Sequence, residues 1–181
     1  NENDCRKMLT TGHQHPGPAA VRYPRGSGPA TPISIDLDPI EIGKGKMLRQ
    51  GKRIALLAFG APTQAALEVA NNIDATIVDM RFVKPLDETL ITTLSHQHEA
   101  LITVEENTIQ GGAGSAVNEF LTSMQINIPT LNLGIPDTFI DHASQAEIRS
   151  LAGLDAKGIR QSIHHFINHS SCDIELNQIL P

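Results

Sequence analysis

Two arginines three residues apart, Arg22 and Arg25, close the stretch AAVRYPRGSG at residues 19–28. A guanidinium group presents a planar fork of donors that matches phosphate or carboxylate. Pro24 lies between the two and fixes its own φ at about −65°. The apolar run before them reads as a strand over 19–23 that ends in a turn. Residues three apart in an extended segment point to opposite faces. The spacing therefore expects one arginine to pack or pair inside the protein and the other to meet an anion.

A second candidate is the glycine turn in ITVEENTIQGGAGSAV, residues 102–117. Gly111, Gly112, Gly114 and Ser115 sit between a strand and a helix, where bare N–H groups and a helix N-terminus can face an anion. The turn lacks the third glycine of a dinucleotide fingerprint and has no acidic residue near Asn132 for a ribose. It is not a P-loop, because no Gly-Lys-Ser/Thr follows. Close packing of helix on strand also demands small residues here. Glu105 and Glu106 end the preceding strand, so alternation sends one inward and one outward. Capping of the glycine turn is the favoured role for the inward one, with a functional acid as the alternative.

Other polar groups carry weaker signals. Asp79, Arg81, Lys84 and Asp87 in DMRFVKPLD alternate in sign and are expected to pair with one another, with Pro85 and Asp87 starting a helix. His165 and His169 are four apart and share a helix face, but no third metal ligand is in view. His96 and His98 are two apart and do not share one. A solvated face is the expectation for these, and no metal site is assigned. No Gly-x-Ser-x-Gly elbow is present.

The elements that must position these groups follow from periodicity. Asn3 or Asp4 is expected to cap a short helix within 1–12. Residues 26–40 hold three prolines and two glycines and read as a linker. A strand pair is expected at 43–49 and 53–59, joined by the turn at 50–52. Helices are expected in APTQAALEVANNI, DETLITTLSHQ and GSAVNEFLTSM, and strands in ATIVDM, ALITVEE and IPTLNLGI. SQAE at 144–147 is a capping box. Asp155 caps a last helix with Ile159, Ile163, Phe166 and Ile167 on one face. Apolar strands alternating with helices imply a largely parallel sheet covered on both faces.

Bulk properties exclude some roles. The chain has 181 residues, no tryptophan and a net charge of −6. It carries no basic stripe, which argues against nucleic acid as a partner. No apolar run approaches the ~20 residues of a membrane span, and no secretory signal is visible. Two cysteines, Cys5 and Cys172, form neither a disulfide framework nor a zinc site; a reducing, cytoplasmic compartment is the default expectation. The chain begins at Asn1, apparently mid-element, which we read as a C-terminal piece of a longer protein.

Taken together, GPAAVRYPRG, IGKGKMLRQGKRIALLAFG, ATIVDMRFVKPLDETLI, HEALITVEENTIQGGAGSAVNEFL, LNLGIPDTFIDHASQAEI and AGLDAKGI resemble the C-terminal part of the 1-deoxy-D-xylulose-5-phosphate synthase family. This family belongs to the transketolase group of thiamine-diphosphate enzymes. The resemblance runs almost continuously from Asn1 to Ile167. It implies a parent enzyme that joins pyruvate to glyceraldehyde 3-phosphate with loss of carbon dioxide. The product, 1-deoxy-D-xylulose 5-phosphate, feeds isoprenoid, thiamine and pyridoxal synthesis. Thiamine diphosphate, held through Mg2+, does the carbanion chemistry.

Implied by the same resemblance are a fold and a division of the chain. The fold is a three-layer α/β/α sandwich with a mostly parallel, roughly five-stranded sheet. Residues 1–26 map to the tail end of the pyrimidine-binding domain, 27–50 to a linker and entering strand, 51–169 to the C-terminal domain and 170–181 to a polar tail. In the family the RYPRG segment helps to hold the acceptor's phosphate. Arg25 is the residue carried over, and Arg22 is the secondary candidate. The Gly-Asp-Gly…Asn cofactor motif is nowhere in the chain. The resemblance therefore places no catalytic residue here and implies that these residues alone neither bind cofactor nor turn over. It also implies a homodimer, with the remaining parts of the same chain as partners. Two rival readings remain: the C-terminal domain of another transketolase-group enzyme, and a non-catalytic dimerisation or anion-binding module.

Overall fold

Ile54, Leu56 and Ala58 face one side of their strand, and Ala55, Leu57 and Phe59 face the other; all six are buried. Such a run has no polar face and is stable only between two layers. In the computed structural model, which describes residues 1–70 and 72–169, this strand is the centre of a five-stranded sheet. The strands are β1 (Lys46–Arg49), β2 (Ile54–Phe59), β3 (Ala75–Asp79), β4 (Ala100–Thr108) and β5 (Thr130–Ile135). Their order is β1-β3-β2-β4-β5. Strands β3, β2, β4 and β5 are parallel, and β1 is an antiparallel edge.

Helices α1 (Glu2–Gln14), α2 (Thr63–Val69), α3 (Glu88–Gln97), α4 (Ala113–Ser123), α5 (Gln145–Leu151) and α6 (Ala156–His169) complete the chain. One face of the sheet packs on Ala66 and Val69 of α2 and on Ile159, Ile163 and Ile167 of α6. The other packs on Ile91 and Leu94 of α3 and on Val117 and Leu121 of α4. These are the three layers that the alternating pattern implies. Phe166 and Phe120 are only partly buried against these faces.

Four expectations are corrected. Residues 19–23 form no strand; the segment instead hydrogen-bonds to the sheet's edge through a side chain. The pair 43–49 and 53–59 is not a hairpin: β1 pairs with β3 instead. Both edges of β2 are taken by parallel neighbours, so β1 can join only at the outside. The turn is diverted by Thr76, whose Oγ1 accepts from Gly51 N at 2.9 Å. Helix α1 is capped by Asn1, whose side chain accepts from Asp4 N, rather than by Asn3 or Asp4. Helix α2 ends at Val69, earlier than its apolar pattern suggests.

The remaining elements match their sequence signals. Asp87 caps α3, Ser144 and Glu147 form the capping box of α5, and Asp155 Oδ1 accepts from Gly158 N. The segment read as a linker straps α1: Asn3 accepts from Ser34 N at 2.9 Å, and Lys7 pairs with Asp36. The polar tail at 170–181 and Cys172 lie outside the described residues.

Leu56 is fully buried in the central strand. Leu56→Ala is expected to lower unfolding free energy by about 3 kcal/mol, read as a lower urea midpoint with unchanged slope.

Candidate functional site

Strand order reverses between β2 and β4: the chain leaves β2 for β3 on one side and returns to β4 on the other. In open α/β sheets, ligands bind outside the carboxyl ends of strands at such a switch point. Phe59 and Glu105 are paired at this end. Beyond them lie Gly60, at φ +78° with open space where a Cβ would be, and the glycine turn.

Glu105 turns inward and is 4% exposed. Its two carboxylate oxygens accept from Ala113 N and Gly114 N, both at 2.8 Å. It thus caps the first turn of α4, whose N-cap residue, Gly112, has no side chain to do so. The glycines make room for this. A Cβ on Gly112 would lie 2.5 Å from both Glu105 oxygens, and one on Gly114 would lie 2.5 Å from Thr103 Oγ1. Gly111 N donates to Ser115 Oγ, and that hydroxyl donates to Ile109 O. The donors read as a possible anion turn at Gly111, Gly112, Gly114 and Ser115 are therefore engaged within the chain. Capping and close packing, both weighed from sequence, are what this turn does.

Glu106 turns the other way. Its carboxylate pairs with Arg149 Nε of α5, and its carbonyl accepts from Arg22 at 2.6 Å. The RYPRG segment is thus tied to the switch point. Arg22 and Arg25 are both exposed, but they are not equivalent. Arg22 is spent on the protein, whereas Arg25 has no hydrogen bond or ion pair among the described residues. Neither is turned inside.

Arg81 is the residue that sequence reasoning undervalued. It lies just past the end of β3 in a left-handed conformation, φ +58°. That conformation is costly for a non-glycine residue and clusters at functional sites. Its guanidinium pairs with Asp4 at 3.5 Å, while the buried Nε has no partner. Asp79 accepts from Arg81 N at 3.1 Å. Burial raises the Asp79 carboxyl above its ordinary value, against the lowering effect of the Arg81 N–H and charge. Asp87 pairs with Lys44 and accepts from Gly45 N. His165 and His169 stack with ring centroids 4.1 Å apart on the exposed face of α6.

This edge does not fit thiamine diphosphate and its magnesium. The α4 N-terminus already faces a buried carboxylate, which would repel a diphosphate. Among the described residues, no three of His, Cys, Asp and Glu are grouped to hold a metal. No helix among them is long and apolar enough to cross a membrane.

A mostly parallel sheet sandwiched by helices, with a docked N-terminal strap at its switch point, defines a transketolase-type C-terminal domain. Residues 43–159 match the family described as Transketolase, C-terminal domain, and the chain belongs to that family. The chain is 58% identical over 163 residues to 1-deoxy-D-xylulose-5-phosphate synthase of Pseudomonas putida (strain GB-1), covering 90% of this chain and 26% of the relative. It is 54% identical over 167 residues to the synthase of Vibrio vulnificus (strain CMCP6), covering 92% and 27%. The chain thus spans about a quarter of the length of the curated relatives it matches. Among solved structures, a split-gene transketolase described as an inactive beta4 tetramer aligns with TM-score 0.65 and 31% identity, covering 76% of this chain and 46% of that one. Transketolase from Campylobacter jejuni aligns with TM-score 0.51 and 17% identity over 68% of this chain and 18% of that one, a likeness of fold alone.

Two outcomes follow. Glu105→Ala leaves two helix N–H groups unpaired beneath the sheet edge. It should cost about 2 kcal/mol in denaturant unfolding, and Glu105→Gln should cost less. The folded protein holds the Asp79 proton more tightly than the unfolded chain does, whose carboxyl titrates near 3.8. This contribution is complete below that pH and is lost as pH rises through the raised folded value. Asp79→Asn should therefore gain on the wild type in urea midpoint between pH 4 and pH 7.5. A shrinking difference would contradict the burial account.

Proposed function

We propose that this chain is the C-terminal part of a 1-deoxy-D-xylulose-5-phosphate synthase. The parent joins pyruvate to glyceraldehyde 3-phosphate with loss of carbon dioxide. The observation that carries its local role is the division between the two arginines. Arg22 is bonded to the Glu106 carbonyl, and Arg25, three residues on, is left with an uncommitted guanidinium at the switch-point edge. An extended segment held at one arginine presents the other, and a free guanidinium matches a phosphate monoester in shape and charge. Arg25 holds the phosphate of the acceptor. Arg81, strained and with Nε unpaired at the same carboxyl edge, is the second cation of the site.

The relatives support the reaction, since they carry that name at 54–58% identity over this part of their length. Thiamine diphosphate supplies the carbanion chemistry in the parent. Its seat and the magnesium belong to the rest of the parent chain, because the residues here do not fit them. Residues 1–26 are the end of the pyrimidine-binding domain, 27–50 the linker with β1, and 51–169 the C-terminal domain. The parent works in the cytoplasm as a homodimer.

In the full-length parent, Arg25→Ala should raise KM for glyceraldehyde 3-phosphate about 10- to 100-fold, the loss of a charged hydrogen bond, with little change for unphosphorylated glyceraldehyde. Product formation from pyruvate and each acceptor reads this. Equal effects on both acceptors would sink the phosphate role. No product from pyruvate and glyceraldehyde 3-phosphate, with another aldose phosphate accepted instead, would favour a different transketolase-group activity.

A further inference from the structure

Helix α5 reaches the start of the RYPRG segment through Glu106 and lies beside its end at Gly26. At one end, Arg149 holds the Glu106 carboxylate while the Glu106 carbonyl accepts from Arg22. At the other, Gln145 lies under Gly26: a Cβ there would sit 3.2 Å from Gln145 Oε1. Gln145 and Arg149 are four residues apart and so share one face of the helix. Gly26 adopts φ +139°, which a side chain would strain. Between the Arg22 bond and Gly26 lie Tyr23, Pro24 with its fixed φ, and Arg25. Few conformations remain for a segment so short and so held.

No residue of α5 is fully buried. The Arg149–Glu106 pair is therefore a main tie between this helix and the end of β4. Two part-buried charges make a pair stronger than an exposed one, because water screens it less. Removing that pair should let α5 shift while the sandwich core stays intact.

We infer that Arg149 is a positioning residue: through Glu106 it sets the Arg22–Gly26 segment, and so fixes where Arg25 meets the acceptor's phosphate. Arg149 itself does not touch the acceptor. This rests on the phosphate-binding reading of Arg25 above. Its consequence is specific. Loss of the pair should weaken selection for a phosphorylated acceptor without touching the chemistry of the aldehyde.

The test uses the full-length parent with its cofactor. The readout is the ratio of kcat/KM for glyceraldehyde 3-phosphate to that for glyceraldehyde. Arg149→Leu should lower this ratio about tenfold, a fraction of what loss of a charged contact costs. The change should lie in KM for the phosphorylated acceptor. Arg149→Lys, which keeps the charge, should recover most of the ratio. Gly26→Ala should lower the ratio by a similar factor; it lies on an exposed segment and serves if Arg149→Leu does not fold. A ratio unchanged in Arg149→Leu and Gly26→Ala while Arg25→Ala abolishes it would overturn the positioning role alone. A ratio unchanged in Arg25→Ala would overturn the phosphate reading beneath it. Equal losses on both acceptors in Arg149→Leu or Gly26→Ala would mark a merely structural contact and also overturn the positioning role.

Discussion

Two adjacent glutamates at the end of β4 face opposite ways, and most of the site depends on that alternation. Glu105 points into the protein and supplies the cap that α4 lacks at Gly112. Glu106 points out and gathers Arg149 by its side chain and Arg22 by its carbonyl. Two-residue periodicity is a property of any extended strand. Here it divides one strand end between a structural carboxylate, buried and fully used, and a half-buried one that organises the surface. Exchanging their orientations by a one-residue slip would bury an ion pair's partner and strip α4 of its cap at once.

The glycines are explained by the same division. A glycine-rich turn before a helix invites an anion, because the N–H groups there are free and the helix dipole is favourable. In this chain the anion is covalently attached. Gly112 and Gly114 lack side chains because Glu105, Thr103 and the Thr108 carbonyl occupy that space. The turn is therefore closed to a soluble phosphate, and the available positive charge at this edge comes from side chains instead. Arg25, exposed and without a hydrogen bond or ion pair among the described residues, and Arg81, paired with Asp4 while its Nε has no partner, are the side chains proposed for that role.

Much of this was legible in the sequence, and the reasons are local. The continuous apolar run of β2, the Asp87 and Asp155 caps and the Ser144–Glu147 box depend on residues within a few places of each other. The expectation that one of Arg22 and Arg25 turns inside is not met, since both are exposed and residues 19–23 form no strand whose alternation would divide them. The failures are long-range. Whether residues 19–23 pair as a strand depends on a neighbour that the sequence does not name, and without one the backbone groups were left to other contacts. The 50–52 turn looked like a hairpin because nothing local announces Thr76, which bonds to Gly51 from 25 residues away. The partner of Arg22 lies 84 residues on, and the partner of Glu106 a further 43. The left-handed backbone at Arg81 is equally hidden, since Met-Arg-Phe carries no turn signal.

On the proposed function, these long-range contacts are how a domain that does not itself seat the cofactor would shape the acceptor site. Its core is aliphatic and closed, and none of its buried residues is needed to touch a substrate. What it offers is an edge. A rigid sheet fixes the carbonyl of Glu106, a polar helix leans on the same residue, and a short N-terminal segment is pinned against both. On that proposal, rigid-body placement of one guanidinium would limit the conformational entropy lost when a phosphate binds, which is where preorganised sites gain affinity. The sheet is too deeply packed to move, whereas α5, with no buried residue, is not. If Arg25 meets the acceptor as proposed, a change in acceptor selectivity that keeps the fold is expected to enter through α5 and the segment beside it, not through the strands.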